Sequence, residues 1–283
     1  MATPPVTERR RSHIISAQTL LILLPPSEGK SAPSRGSVVN LAKHSFPELS
    51  ETRQTILSAL VEVCQRDTGA AATALGLGPT QADEISRNAR LADAPAAPAR
   101  NVYTGVLYDA LGLRNLEGAV ARRASRSIVI TSGLWGLLRP TDRIPAYRLG
   151  GGVSLPGVGA LATRWRPALD AVVPALAGQG AIIDLRSTTY EAFWRPDPEL
   201  ARRTAKVRVL HEQNGKRTVI SHHSKATKGH VVRAILESGE SPRTPVDVAE
   251  LLATLGWKAE LTEPARPARP WTLDVVVDHV ATR

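Results

Sequence analysis

Three polar loops contain residue types that could bind an anion, and each loop follows a short apolar run. The runs are Thr19–Leu24, Ser127–Thr131 and Ala181–Leu185, and their apolar character predicts strands buried on both faces of a sheet. In open α/β sheets, ligands collect outside the carboxyl ends of the strands. If the three strands are neighbours, their loops form one cationic cleft for a phosphate, a diphosphate or a carboxylate. The cleft would gather Lys30, Ser132, Arg139, Arg148, Arg186, Ser187 and Tyr190, with Lys225 and Lys228 nearby.

The same loops supply candidates for chemistry, although the sequence assigns no catalytic residue. The candidates are Lys30, Ser187 and Tyr190, which could orient a substrate or transfer a proton. No nucleophile-elbow pattern surrounds Ser187, so a role as a helix cap or an oxyanion ligand is favoured over acyl transfer.

The loop Ser27–Ser31 ends in Gly-Lys-Ser, as a nucleotide-triphosphate loop does. The first glycine of that motif would have to stand where Leu24 is, so the motif fails. Lys30 therefore has two interpretations that remain open, a ligand of the cleft or a solvated surface lysine.

The stretch Ala201–Arg233 concentrates most of the positive charge of the chain. It holds nine Lys and Arg residues against one acid, Glu212, which gives a local charge of +8, whereas the whole chain has a formal charge of +10. A local excess of this size attracts phosphate. The favoured hypothesis is an anion-binding face for a nucleotide or a nucleic-acid backbone. The alternative is a solvated face whose alkyl stems cover apolar surface.

If the partner is DNA, the basic residues of this stretch would supply phosphate contacts that do not depend on base sequence. Two of them, Lys206 and Arg208, would share one face of a strand. The predicted contacts are Lys206, Arg208, Lys225, Lys228 and Arg233.

A second region that could contact DNA is Leu75–Thr80, in which glycines alternate with aliphatic residues between two predicted helices. This alternation resembles a helix-hairpin-helix turn, where backbone N–H groups near Gly76 and Gly78 would bind a phosphate. The alternative is a plain turn between helices, with Pro79 starting the second helix.

No metal site and no cofactor are predicted. His222 and His223 are adjacent in a predicted strand, so their side chains would point to opposite faces and would not share one ion. A metal site also needs a third ligand that the sequence does not indicate.

Composition is that of an ordinary globular protein, with 42% hydrophobic and 22% charged residues, and the pI of about 10.3 favours acidic partners. Cys64 is the only cysteine, which excludes an intrachain disulfide and indicates a reducing compartment. No apolar run is long enough to cross a bilayer. We therefore expect a cytoplasmic location and no membrane partner.

Residues 19–283 are predicted to form one α/β domain with a mixed sheet and flanking helices, and residues 1–18 a flexible N-terminal extension. Asn214-Gly215, between the predicted strands Val207–Leu210 and Thr218–His222, predicts a β-hairpin. Helices are predicted at 50–68, 73–91 with an interruption, 162–176, 227–237 and 246–255, and a last strand at 273–277.

Several strings are similar to the YaaA peroxide-stress protein family, in the family's order and from about Leu20 onwards. Together they are specific, although each alone would be weak evidence. Residues 25–30 resemble the high-GC actinobacterial branch, whereas the better-studied branch has Ser-Pro-Ala-Lys there, so Lys30 matches and Glu28 does not. The strings are Leu21–Lys30, Val102–Gly105, Ser132–Pro140, Asp142–Leu149, Asp184–Ser187 with Tyr190, and Ile220–Lys225 with Lys228, Gly229 and Arg233.

The resemblance implies an α/β fold particular to the family, with a cationic cleft and a helix-hairpin-helix-like element at Leu75–Ile85. It also implies protection from hydrogen peroxide, limitation of free intracellular iron, and DNA binding, but no settled reaction. Two hypotheses follow. The first is a DNA-binding stress protein that limits iron-driven damage, and the second is an enzyme acting on a small phosphorylated or nucleotide-like substrate in the cleft.

Overall fold

The first strand, β1 (Leu20–Leu24), lies at the centre of the main sheet, and all of its residues are buried. A strand without a polar face is stable when both faces of the sheet are covered, as the sequence predicted. The strand belongs to a computed structural model that describes residues 20–218 and 221–278. The predicted N-terminal extension, residues 1–18, lies outside the described residues.

The strands that follow along the chain are short, except for two long ones near its end. They are β2 Ala97–Pro98, β3 Ile128–Ser132, β4 Gly136–Leu138, β5 Arg143–Ile144, β6 Ser154–Leu155, β7 Gly159–Ala160, β8 Ala181–Asp184, β9 Thr204–Gln213, β10 Lys216–Thr218, β11 Lys258–Thr262 and β12 Trp271–Val277.

Helices fill most of the connections between the strands. They are α1 Ser50–Arg66, α2 Thr68–Leu75, α3 Ala82–Asn88, α4 Ala99–Val102, α5 Val106–Leu111, α6 Gly118–Ser127, α7 Leu161–Ala177, α8 Thr188–Glu191, α9 Pro198–Arg202, α10 Ser221–Ser238 and α11 Pro245–Thr254. Short 3₁₀ helices occur at Leu41–Lys43, Pro47–Leu49, Pro79–Gln81 and Leu113–Asn115.

The main sheet has eight strands within the described residues, in the order β11-β12-β9-β8-β1-β3-β4, with β10 paired to β9. The central strands β12, β9, β8, β1 and β3 run parallel. Strands β4, β10 and β11 pair antiparallel with their neighbours. The predicted α/β fold with a mixed sheet is therefore confirmed.

The parallel strands that follow β1 along the chain lie on both sides of it, and this creates a crevice. The next parallel strand, β3, lies on one side of β1, whereas the one after it, β8, lies on the other side. Open α/β sheets bind ligands at such a topological switch point, outside the carboxyl ends of the strands. Here those ends are Leu24 and Asp184, and the loops predicted to bind an anion begin just beyond them.

The predicted hairpin is confirmed, but its second strand is shorter than expected. Asn214 and Gly215 have φ of 52° and 73°, as a turn that matches the twist of the strands requires. Strand β10 ends at Thr218, and α10 begins at Ser221. His222 and His223 therefore lie in a helix, and the prediction that they occupy a strand is wrong. The β-branched residues before Ser221 concealed the start of the helix.

The segment Ser132–Arg139, predicted as a loop, instead contains β4, which returns antiparallel to β3. The turn depends on Gly136, whose φ is 67°. A Cβ there would lie 2.5 Å from the ring of Trp165 in α7, so only glycine allows this approach. Arg139 consequently leaves the sheet edge and does not follow the carboxyl end of a parallel strand.

Predicted helices at 50–68, 162–176 and 246–255 are confirmed as α1, α7 and α11, with ends that differ by at most two residues. The interrupted region at 73–91 contains α2 and α3, separated by a turn. None of the described helices combines the length and the apolar character needed to cross a bilayer.

A fully buried guanidinium joins α1 to the neighbouring loops. Arg53 donates hydrogen bonds to the carbonyl oxygens of Trp135 at 3.0 Å and Leu137 at 2.8 Å, and to those of Ser45 at 2.9 Å and Phe46 at 3.2 Å. Buried carbonyl groups need such donors, because an unsatisfied polar group costs free energy.

We expect Arg53→Met to lower the free energy of unfolding by about 3 kcal/mol or more, because four carbonyl groups lose their donor. Arg66→Met, on the same helix, is the matched control, because the side chain of Arg66 is 77% exposed and pairs with Glu62 on the surface. That control should change stability by no more than about 0.5 kcal/mol. Urea denaturation of both variants measures the difference, and equal losses would contradict the role given to Arg53.

Candidate functional site

A cavity of about 540 Å³ opens at the carboxyl ends of β1 and β8, and we call it the switch-point cavity. Its volume is typical of small-molecule sites. Its walls come from the loop after β1, the start of α5, residues 147–152, the start of α8, and one residue of α10. Five of the nine residues predicted to converge here line it: Lys30, Arg148, Ser187, Tyr190 and Lys225.

Lys30 is half-buried in the cavity wall. Its Nζ donates hydrogen bonds to the carbonyl oxygens of Ser27 at 2.8 Å and Glu28 at 3.3 Å. Burial, and then repulsion by the guanidinium of Arg148, lowers the pKa of Lys30 from 10.5 to about 7. Near neutral pH, Lys30 therefore exists in part as an uncharged amine, which can accept a proton.

Two tyrosine rings lie beside the Lys30 amine. Its Nζ is 4.3 Å from the ring centroid of Tyr147 and 5.6 Å from that of Tyr103. The Tyr147 hydroxyl shares hydrogen bonds with the Tyr103 hydroxyl at 2.9 Å and with Ser132 Oγ at 2.7 Å. Ser132 is fully buried, so it supports Tyr147 from behind and does not line the cavity.

Arg148 is held in the wall through its backbone. The buried amide of Asn88, at the end of α3, donates to the carbonyl oxygen of Arg148 at 2.7 Å and accepts from its N–H at 2.9 Å. The Arg148 guanidinium lies 3.3 Å from the exposed carboxylate of Glu28. Sequence reasoning missed Asn88, because nothing in its local sequence distinguishes it from a surface residue of a helix.

The glycine-rich loop positions Tyr190. A Cβ on Gly151 would lie 2.8 Å from the Tyr190 ring, so a side chain is excluded there. The Gly151 N–H bonds to the Tyr190 hydroxyl, while burial, the larger effect, raises the pKa of Tyr190 to about 12. Tyr190 is therefore a neutral hydroxyl at physiological pH, and Ser187 lies beside it in the wall.

Four of the predicted cleft residues lie outside the cavity wall, one of them being Ser132. Arg186 is buried and binds both carboxylate oxygens of Asp184, at 2.9 and 2.7 Å. Arg139 donates to the carbonyl oxygens of Arg126 and Ile128, and Lys228 to that of Leu185 at 3.2 Å. These four residues do not line the cavity, although the sequence placed them in the cleft with the other five, and the cationic groups of Arg186, Arg139 and Lys228 have acceptors within the protein.

The Asp184–Arg186 pair nevertheless contributes to the position of the wall. The ion pair holds the Arg186 guanidinium at the end of β8, where it also donates a hydrogen bond to the carbonyl oxygen of Tyr190 at 3.3 Å. Burial raises the pKa of the Asp184 carboxyl, but the charge and the hydrogen bonds of Arg186 together outweigh burial and lower it. Arg186 therefore positions the turn that presents Ser187 and Tyr190.

Acids outside the stretch Ala201–Arg233 balance much of its charge. Three of the predicted DNA contacts, Lys206, Arg208 and Arg233, are in ion pairs with such acids. Glu237 follows Arg233 on the same helix, whereas the other acids come from distant parts of the chain, which a charge count over neighbouring residues could not include. The pairs are Lys206–Glu191 at 2.8 Å, Arg208–Asp274 at 2.7 Å, Arg233–Glu237 at 2.8 Å and, at the hairpin, Arg217–Glu260 at 2.6 Å.

The turn between α2 and α3 uses its own amide groups. Gly76 has a φ of 64° and caps α2 through hydrogen bonds from its N–H to the carbonyl oxygens of Ala72 and Thr73. The N–H of Gly78 donates to the side chain of Gln81 at 3.2 Å. The proposed phosphate contacts of Gly76 and Gly78 would therefore have to replace these bonds.

Helix α10 brings Lys225 to the cavity because it packs directly against α5. Gly229 makes this possible, since a Cβ there would clash with the backbone carbonyl of Leu107 and would lie 2.8 Å from Cβ of Ala110. Leu107 lines the cavity, so one backbone contact joins the wall to the basic helix.

The fold and the cavity define a doubly wound α/β protein with a crevice at its switch point. The chain belongs to the family described as Peroxide stress protein YaaA, which matches residues 20–260. The resemblance found in the sequence is therefore confirmed.

Two relatives extend over almost the whole chain, and a third over about half of it. A UPF0246 protein of Streptomyces coelicolor is 48% identical over 261 residues, which cover 92% of this chain and all of the relative. A UPF0246 protein of Corynebacterium efficiens is 36% identical over 263 residues, covering 91% of this chain and all of the relative. A UPF0246 protein of Bacteroides thetaiotaomicron is 31% identical over 153 residues, covering 51% of this chain and 58% of the relative.

The described residues contain no group of three or more His, Cys, Asp and Glu side chains arranged to hold a metal ion.

The lowered pKa of Lys30 predicts a specific dependence of stability on pH. The unfolded chain binds more protons than the folded chain between pH 7 and 10.5, so stability rises with pH across this window. Relative to Lys30→Arg, which keeps its charge, the wild type should gain stability from pH 7 to pH 10. Lys30→Met has no charge at this position, so the wild type should be the less stable of the two at pH 7, and this difference in the free energy of unfolding should disappear by pH 10. Urea denaturation at several pH values measures both differences, and parallel curves for all three proteins would show an ordinary pKa.

Proposed function

We propose that this chain acts in the response to peroxide stress, and that its working site is the switch-point cavity, which binds a small phosphorylated or nucleotide-like anion. Membership of the YaaA family supports the first part. The second part rests on one observation, that the cations of Arg148 and Lys225 meet in a cavity of small-molecule size at the switch point, with Lys30 beside them in the wall. The proposal assumes the cytoplasmic location expected from the sequence.

The cavity wall contains charged groups that could bind a phosphate, apolar surface that could contact a ring, and a hydroxyl group that could take part in a reaction. Arg148 and Lys225 supply positive charge, and a guanidinium can hold a phosphate through two parallel hydrogen bonds. Tyr108 and Leu149 add apolar surface, which suits a ring. The Tyr190 hydroxyl can orient a substrate or transfer a proton, so the cavity is suited to an enzyme.

We expect Arg148→Met and Lys225→Met each to raise the Kd for phosphorylated ligands about tenfold or more, because each removes a charged hydrogen-bond donor. Isothermal titration calorimetry with adenosine 5′-monophosphate and ribose 5-phosphate measures this loss. Lys216→Met is the matched control, since Lys216 belongs to the basic stretch but lies exposed in the hairpin. The proposal fails if no phosphorylated compound binds the wild type, or if the control weakens binding as much.

DNA is the second candidate ligand, and the formal charge of +10 favours it. In this case the protein would shield DNA and limit iron-driven damage. The contacts would be those expected from the sequence, namely Gly76, Gly78, Lys206, Arg208, Lys225, Lys228 and Arg233. Because three of these cations are paired with carboxylates, DNA would have to displace acids of the protein itself.

A salt series separates the two candidates. If Lys225 and Lys228 both touch phosphate, replacing both with Ala lowers the slope of log K against log salt by about two. We expect a decrease of less than about one for a fluorescent duplex, because Lys228 donates to a backbone carbonyl. Replacing Lys43 and Lys216 with Ala changes the charge equally and is the control. A decrease of two for the first pair alone would favour DNA.

A further inference from the structure

We propose that Lys30 is a nucleophile that forms a reversible imine with the aldehyde or ketone group of an anionic substrate in the switch-point cavity. This inference rests on the proposed function of the same cavity and adds the reactive group of the substrate. Arg148 and Lys225 would hold the anionic end, while Lys30 would meet the carbonyl carbon.

The hydrogen bonds of Lys30 suit an uncharged amine. A neutral amine has two N–H groups and one lone pair, whereas an ammonium group has three N–H groups. The carbonyl oxygens of Ser27 and Glu28 accept two hydrogen bonds from Nζ. In the neutral form, both N–H groups are thereby satisfied, and the lone pair is left to react.

The surroundings of Lys30 favour the neutral form. Among the described residues, no carboxylate forms an ion pair with Lys30, although Arg148 forms one with Glu28. The amine is half-buried near the guanidinium of Arg148, and these two effects outweigh the rings of Tyr147 and Tyr103 and the carboxylates of Glu84 and Glu28, which favour the ammonium form. Desolvation and a neighbouring cation activate lysines for attack on carbonyl groups. The lowered pKa of Lys30, about 7, agrees with this environment.

Arg148 and Lys225 are better suited to bind the anion than Lys30 is. Because the pKa of Lys30 is lowered to about 7, its amine is a poorer ligand for an anion near neutral pH than a permanent cation is. Arg148, whose partner Glu28 is an exposed carboxylate, and Lys225, which is exposed at the wall, can bind an anion without Lys30. Lys30 is therefore available for a different role.

The reaction needs no other reactant. The Nζ lone pair attacks the carbonyl carbon and forms a C–N bond, while the π electrons of the C=O bond move to oxygen. The oxygen then leaves as water, its two protons coming from the amine, and the C=N bond forms. No electron is gained or lost, and hydrolysis reverses each step.

Pyridoxal 5′-phosphate is a suitable probe, because it is a phosphorylated aromatic aldehyde. The full-length protein at pH 7 would be incubated with a limiting amount of it and reduced with borohydride, and the labelled lysines would be identified by peptide mass spectrometry. We expect Lys30 to be labelled about tenfold or more faster than the exposed Lys216. An excess of pyridoxine 5′-phosphate, the corresponding alcohol, should prevent this labelling.

Two variants test the assignment. Lys30→Arg should remove the label, and binding of pyridoxine 5′-phosphate to this variant in calorimetry, at whatever affinity, shows that it is folded. Lys225→Met should slow the labelling of Lys30 without abolishing it, because it removes only a charge that holds the phosphate.

The outcomes distinguish the inference from the function on which it rests. If pyridoxine 5′-phosphate binds the wild type but the label spreads evenly over the lysines or avoids Lys30, the imine is excluded and anion binding stands. Both proposals fall if pyridoxal 5′-phosphate does not label Lys30 and if pyridoxine 5′-phosphate, adenosine 5′-monophosphate and ribose 5-phosphate all fail to bind. Labelling of Lys30 that the alcohol prevents supports both.

Discussion

The buried guanidinium of Arg53 is the interaction on which the wall behind Lys30 depends. Its bonds to the carbonyl groups of Trp135 and Leu137 fix the turn between β3 and β4. In that turn, Ser132 Oγ accepts a hydrogen bond from the Trp135 N–H at 3.0 Å and bonds to the Tyr147 hydroxyl. The Tyr147 ring in turn lies against the Lys30 amine. A residue that does not touch the cavity thus helps to position Lys30, because the hydrogen bonds that lead from Arg53 to Tyr147 are buried and directional.

The strand order explains why this geometry is at the switch point. Strand β1 is hydrogen-bonded on both sides, so the loop that follows it enters the space where the connections to β3 and β8 diverge. Lys30 is in that loop, and Ser187 and Tyr190 follow β8. The cavity therefore results from chain topology, and the side chains that line it determine its chemistry.

The sequence predicted the fold class, the hairpin and the site loops, because apolar runs and turn residues report local structure directly. It also placed Lys30 near Ser187 and Tyr190, since the ends of the adjacent parallel strands β1 and β8 meet. It placed Arg139 and Arg186 there as well, whereas their guanidinium groups bind carbonyl and carboxylate acceptors outside the cavity wall. Residue type and spacing cannot show that a cation already has a partner, because the partner comes from tertiary contacts. For the same reason, the charge count over Ala201–Arg233 did not include Glu191 and Asp274.

The contact at Gly229 gives the molecule a mechanical property. No side chain separates α10 from the carbonyl group of Leu107, so the two backbones meet without a compressible layer between them. A ligand that displaces the start of α5 would therefore press on α10 through backbone atoms. If such a ligand changes the affinity of a partner bound along α10, thermodynamic reciprocity requires the partner to change the affinity of the cavity by the same factor. Gly229 is the position at which the two helices could transmit such an effect.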